Sequence, residues 1–286
     1  MSQILIADSG STKTDWALIE EGKIAQRICT TGINPYFVSE QQGAAILADE
    51  LKLERELQEL THIYMYSAGA KAPANKKMLE NILKGHFAGT DVSVACDMTG
   101  AARSTCHTEK GVVAILGTGS NSCYYDGSKI QKQRASLGYV LGDEGSGTFL
   151  GKKVLRYFFY DTFDGDLHEA FVNKYGNNLP EVLDSVYKQP FPNRYLASFT
   201  EFLGEHRGHF MIENILEDSF LAFFNANLLK YRESWKYPIH FVGSVAYTFR
   251  DVLHNIAEQF GLNIGNIVKS PMDGLVAFHA PATVDV

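Results

Sequence analysis

The spacing of apolar positions changes along the chain, and the changes mark out its elements. Ile4 to Ala7 is a short apolar run, interrupted by Asp8-Ser9-Gly10-Ser11-Thr12 and resumed from Trp16 to Ile19. This predicts strand, tight turn, strand. Beyond Gly22, Ile24, Gln26 and Ile28 alternate with Ala25, Arg27 and Cys29 at the period of two that a third strand imposes. Ser39 and Gln42 stand at capping-box spacing, and Leu47 and Leu51 then share one helical face. The pattern continues with a strand at Ile63 to Tyr66, a helix at Pro73 to Phe87, and a strand at Val92 to Cys96 that delivers Asp97. Strands alternating with helices imply an α/β layer structure.

The opening pattern then recurs. Val112 to Leu116, followed by Gly117-Thr118-Gly119-Ser120, replays it when Gly10-Ser11 is laid on Gly119-Ser120. Two similar lobes meeting along a cleft are expected, 1–108 and 109–286. From Ser146 to about Arg232 the pattern is mostly helical. A strand at Ile239 to Val242, a helix at Val245 to Phe260, a strand at Asn266 to Val268 and a short helix from Met272 follow.

Composition narrows the class. With 286 residues and 45% hydrophobic content, there is apolar material for more than one core. A formal charge of −7 argues against a nucleic-acid surface, which needs clustered Lys and Arg. No apolar run approaches the ~20 residues of a membrane span. Asp8, Lys13 and Asp15 do not suit a secretion signal, so a cytoplasmic location is expected. Cys29, Cys96, Cys106 and Cys123 show no C-x-x-C spacing and read as buried, reduced thiols.

Gly, Ser and Thr at a strand turn let backbone N–H groups approach a phosphate. Asp8 to Thr14 has this character, although a single such turn reads equally well as an ordinary hairpin. A second copy changes the balance, because two turns could grip a polyphosphate from both sides. Neither is a P-loop or a G-x-G-x-x-G fingerprint. Asp97, directly after a strand, is placed to act as a general base or as a helix N-cap. Lys13 could reach phosphate or simply lie on the surface. Asn34 before Pro35 fits an Asx-turn, and Asp143, beside Glu144 and between Gly142 and Gly145, fits a turn. Gly243-Ser244 reads as a strand-to-helix connection that a nucleotide could approach. His206 and His209 lack the partners of a metal site and suggest a solvated loop; Asp161, Asp164 and Asp166 suggest a surface acidic loop. Tyr157 to Tyr160 reads as helix packing.

Asp8 to Thr14, Ile115 to Ser120 and Phe241 to Val245 resemble the first phosphate, second phosphate and adenosine segments of the actin-like sugar kinase superfamily. Gly142-Asp143-Glu144-Gly145-Ser146-Gly147, with Gly32-Ile33-Asn34-Pro35, resembles more narrowly the N-acetylglucosamine kinase branch of the BadF/BadG/BcrA/BcrD-type ATPase family. That resemblance implies two ribonuclease H-like lobes around a central nucleotide cleft, with the last helix, about 271–286, returning to the first lobe. It implies ATP and Mg²⁺ as cofactors. ATP would be bound by Asp8, Gly10, Ser11, Thr12, Lys13, Thr118, Gly119, Ser120, Gly243 and Ser244, and Mg²⁺ would lie near Asp8 through water. A small sugar would contact Asn34, Asp97, Thr118, Gly138 and Asp143, with Asp97 as the base for phosphoryl transfer to a hydroxyl, at C6, of N-acetylglucosamine or a related amino sugar.

One departure bears on specificity. Vertebrate-type N-acetylglucosamine kinases carry Gly-Trp-Gly-His where this chain has Ser136-Leu137-Gly138-Tyr139, which leaves N-acetylglucosamine, glucosamine and N-acetylmuramic acid all open. The oligomeric state is also open, a homodimer being one option. Two rival readings stand beside the kinase. One is an ATPase that activates a reductase or dehydratase through a cysteine-bound iron–sulfur cluster, against which no cysteine lies in a Cys-Gly-Gly context. The other is a sugar-sensing module without catalysis.

Overall fold

The opening apolar runs pair as a hairpin. The computed structural model describes residues 3–53 and 60–280; residues 281–286 of the expected last helix lie outside them. β1 (Gln3–Ser9) runs antiparallel to β2 (Lys13–Glu20), with Ser9 opposite Thr14. β3 (Lys23–Thr31) pairs with β2, while β4 (Leu60–Ser67) and β5 (Asp91–Cys96) extend the sheet in parallel beyond β1. The sheet order is therefore β3-β2-β1-β4-β5. As the central strand, β1 is apolar on both faces. Leu5 and Ala7 join the core with Leu47 of α1 (Glu40–Glu50) and Leu79 and Ile82 of α2 (Pro73–His86). Ile6 faces the other way. The capping box forms: the Ser39 side chain accepts from Gln42 N–H while the Gln42 side chain accepts from Ser39 N–H.

The second sheet repeats this topology. β6 (Gly111–Leu116), β7 (Ser120–Tyr125), β8 (Ile130–Gln133), β9 (Ile239–Val242) and β10 (Ile264–Val268) lie in the order β10-β9-β6-β7-β8. Within each set of five, the third, second, first, fourth and fifth strands are neighbours, so the recurring sequence pattern reflects a duplicated fold. The register of the repeat shifts. Gly10–Lys13 separate the pair Ser9 and Thr14, but only Gly117–Gly119 separate Leu116 and Ser120. Counted from the incoming strand, Gly10 therefore matches Gly117, not Gly119.

After β5 comes α3 (Asp97–Cys106). The long helical stretch comprises α4 (Gly138–Leu141), α5 (Gly147–Phe159), α6 (Gly165–Tyr175), α7 (Leu179–Tyr187), α8 (Pro192–Ser198), α9 (Thr200–Glu205) and α10 (Phe210–Ala226). Its core is aromatic: Phe158 stacks on Phe171 at 4.0 Å, and Phe163, Phe199 and Phe202 close around them. Tyr160, by contrast, caps the end of α5 and is exposed. The single helix expected from Val245 to Phe260 is two, α11 (Ser244–Thr248) and α12 (Arg250–Gln259), because Phe249 leaves helical geometry to bury its ring.

The last helix, α13 (Met272–His279), packs on α3 and on β1, where Met272 and Leu275 meet Ile6. The chain divides accordingly. The first unit runs from the start to Glu109 and includes Asp126–Ile130 and the segment from Ser270 on; the second holds Lys110–Tyr125 and Gln131–Lys269. Two expectations are corrected. Cys29 is exposed because the edge strand β3 turns alternate residues outward, and Cys96, at the end of the opposite edge strand β5, is half-buried; only Cys106 and Cys123 are buried. His209 caps α10 and its Nε2 lies 2.9 Å from Asp164, which itself caps α6. His209 and Asp164 are therefore cap partners, whereas Asp161 and Asp166 are exposed, as expected of a surface acidic segment. No described helix is long and apolar enough to cross a membrane.

Candidate active site

In the first unit, the parallel register brings functional groups to the carboxyl edge of the sheet. Ser9 pairs with Ser67 and Ser67 with Cys96, so Asp8, Ser67 and Asp97 stand at the ends of adjacent strands β1, β4 and β5. That edge is where open α/β sheets gather ligand-binding groups. The Gly10–Lys13 turn is held from below. Ser9 Oγ lies 2.7 Å from Thr14 Oγ1 and accepts from Ile33 N–H, and Ser67 Oγ donates to Ile33 O. Asn34 Nδ2 donates to Ser11 Oγ at 2.8 Å, while its Oδ1 accepts from Tyr36 N–H in an Asx-turn. Asn34 is thus buried and tied to the first turn. Lys13 Nζ is engaged by Asp15 at 2.7 Å. Ser9, Thr14 and Ser67 were not singled out in the sequence; small hydroxyl residues at strand ends gave no signal of their own.

Asp97 is the first residue of α3 and not its N-cap; Cys96 holds that position without a side-chain bond. The Asp97 carboxylate accepts from Met98 N–H at 2.8 Å. Burial raises its pKa, and this hydrogen bond opposes the rise. Asp8 is pushed up to about 7, first by burial and then by the charges of Asp97 and Asp15, with Lys13 opposing. A buried carboxylate that neighbouring carboxylates push up in this way forms a site that a cation relieves. Among the described residues no three His, Cys, Asp or Glu side chains gather to hold a metal. The raised Asp8 carboxylate is the kind of donor that suits Mg²⁺, which takes one or two carboxylates and completes its shell with water and substrate phosphate.

The second unit joins three segments. Gly147 N–H donates to Gly117 O at 2.8 Å and Thr148 N–H to Thr118 O at 3.1 Å, sewing the Gly142–Gly147 run to the second turn. Gly243, in the left-handed region at φ 127°, lies so close to the end of β6 that a Cβ there would come within 2.2 Å of Leu116 O. Its N–H donates to Val268 O. Packing against the strand end thus already requires this glycine. Asp143 has a left-handed backbone (φ 58°), and its carboxylate lies against the turn, with Oδ2 2.9 Å from where a Cβ on Gly119 would stand. Burial raises its pKa; the Ser120 N–H, which it accepts, lowers it, as does Lys152. Lys152 Nζ donates to Tyr139 O at 2.5 Å, fastening α4, which opens at Gly138, to α5. The backbone N–H groups of Thr118 and Gly119 donate to no acceptor among the described residues.

Two five-stranded sheets of repeated order, each with a turn at its first hairpin, define the two-lobed fold of the actin-like ATPases and hexokinases. Over 98% of its length the chain is similar, at 39% identity and a TM-score of 0.93, to all of a candidate N-acetylglucosamine kinase from Porphyromonas gingivalis. It belongs to the N-acetylglucosamine kinase-like branch of the BadF/BadG/BcrA/BcrD-type ATPase family. It is also 24% identical over 180 residues to an N-acetylmuramic acid/N-acetylglucosamine kinase from Clostridium acetobutylicum; the match spans 59% of this chain and 57% of that relative. A glucokinase from Streptomyces griseus, solved with glucose and AMPPNP, shares the fold at a TM-score of 0.56 and 15% identity, over 96% of this chain and 97% of that one. No family model matches the chain.

Proposed function

We infer that this chain is an ATP-dependent sugar kinase, transferring the γ-phosphoryl group to the C6 hydroxyl of N-acetylglucosamine or a closely related amino sugar in the cytoplasm. The observation that carries the reading is the end-to-end similarity to the candidate kinase from P. gingivalis, in a chain that keeps a carboxylate, Asp97, at the carboxyl edge of its first sheet.

Asp97 is the group to accept the proton of the attacking hydroxyl. Burial, which raises its pKa, makes it a stronger base than an exposed aspartate, and the Met98 N–H opposes that rise. Phosphate binding is assigned to the backbone of each turn, in the second to the N–H groups of Thr118 and Gly119, which donate to no acceptor among the described residues. Asp143 presents its carboxylate to a sugar hydroxyl, and Asn34, whose amide already engages Ser11 and Tyr36, has the second Nδ2 hydrogen to offer one. Asp8 would hold Mg²⁺ through water, and the ion would supply charge neutralisation on the phosphates.

The test is ADP release measured against a panel of N-acetylglucosamine, glucosamine and N-acetylmuramic acid. Turnover that depends on one of them, with a 6-phosphate product by mass spectrometry and NMR, is the expected result. ATP hydrolysis indifferent to sugar would favour the activator ATPase, and sugar binding without ADP release would favour a sensing module.

A further inference from the structure

The position of Asp143 has a consequence that a purely sugar-binding role does not contain. Its carboxylate rests on the second phosphate turn: it accepts the Ser120 N–H and lies against Gly119, beside the two backbone donors, Thr118 and Gly119, left open for a phosphate. A negative charge on an anion-binding turn opposes the anion it is built to hold. Among the described residues the cation that offsets it is Lys152, which is shared with Glu144 and anchored on Tyr139 O. The left-handed backbone at Asp143 holds the side chain in this place, and the bonds from Gly147 and Thr148 fix the segment to the turn.

We propose that Asp143 is a positioning residue that couples the two ligands: with no sugar its carboxylate weakens nucleotide binding at the second turn, and a sugar hydroxyl, by engaging the carboxylate, relieves that opposition. This rests on the sugar-kinase reading for the identity of the second ligand, but its first half concerns nucleotide alone. Because coupling between sites is reciprocal, nucleotide and sugar each strengthen the other's binding. The enzyme thereby gains ATP affinity when an acceptor is present, which limits futile hydrolysis.

Calorimetry with Mg²⁺ and AMPPNP, with and without N-acetylglucosamine, tests this on the full chain and on Asp143→Asn, Asp143→Ala and Glu144→Gln. Asn keeps an oxygen to accept the Ser120 N–H but removes the charge. The expected result is that Asp143→Asn binds AMPPNP without sugar several-fold more tightly than the parent. Sugar should tighten nucleotide binding by roughly tenfold in the parent, within the range usual for coupled sites, and by less than about twofold in Asp143→Asn at high sugar. Glu144→Gln, which removes a charge one residue away, should keep the coupling. If Asp143→Asn and Asp143→Ala both weaken AMPPNP binding, the residue is a structural prop and the proposal fails. It also fails if sugar-free affinity is unchanged. A parent protein that binds AMPPNP but none of the sugars would overturn the kinase reading instead, and the sugar-free comparison would still decide the electrostatic half.

Discussion

At the scale of single residues, the candidate site combines carboxylates whose pKa burial raises with groups that packing holds still. Asp97 is the clearest case. Asp97→Asn keeps the size of the side chain and an acceptor for Met98 N–H, so α3 and nucleotide binding should survive. Phosphoryl transfer should fall by roughly 10² to 10⁴, the usual cost of a lost general base. Steady-state kinetics should show kcat falling with sugar KM nearly constant, as for an interaction made mainly in the transition state. Near-parental kcat would leave Asp97 as a helix-start residue only. Its position directly after a strand was legible in the sequence. Its neighbour relation to Asp8 was not, since β1 and β5 are brought together by β4, which lies between them in the sheet but is far from either in the chain.

Elements decide how rigidly those residues are held. α13 crosses α3 at Gly274, where an added Cβ would stand 2.1 Å from Ser104 O. Gly274→Ala must push the two helices apart, an overpacking expected to cost about 1–3 kcal/mol. Because Asp97 opens α3, urea denaturation should show lower stability together with reduced kcat. An unchanged midpoint would mean that α13 shifts freely. Ser39→Ala, at the capping box of α1, should cost about 1 kcal/mol and leave kinetics alone, since α1 lies on the opposite face of the sheet from α3 and α13. A change in sugar KM would contradict that separation. The Ser39 and Gln42 signal is local and was readable; the break at Phe249 was not, because burial of that ring against α10 outweighs the helical pattern on either side.

For the molecule as a whole, each unit contains a histidine held neutral. Burial lowers His240 to about 4, and Asn266 N–H donates to its Nδ1, a bond that protonation would break. His279 is likewise lowered to about 4, by burial and then by Arg103 and His62; its Nε2 lies 2.7 Å from the Tyr66 hydroxyl, which accepts from Arg103. An unfolded chain takes up these protons near 6.5, the folded protein only near 4. Their contribution to stability is therefore complete above about pH 6.5 and is lost as pH falls toward 4. Replacing His279 with Gln removes one of the two titrations. The stability advantage of the parent over His279→Gln, measured by urea midpoints from pH 7.5 down to 4.5, should shrink as the pH falls. A constant difference would show that His279 does not titrate in this window.

The amino-acid sequence by itself determined what is local or periodic: the alternation of strands and helices, the capping box, the duplicated hairpin and the run of motifs that marks the family. Such features depend on residues near one another in the chain, so spacing and propensity suffice to read them. The tertiary structure alone decided which distant groups meet: the row of Ser9, Ser67 and Cys96 at one sheet edge, Gly243 pressed on Leu116, and Asp143 laid against Gly119. Those contacts follow from strand order and helix docking, where many small packing energies are summed, and no local pattern along the chain encodes them.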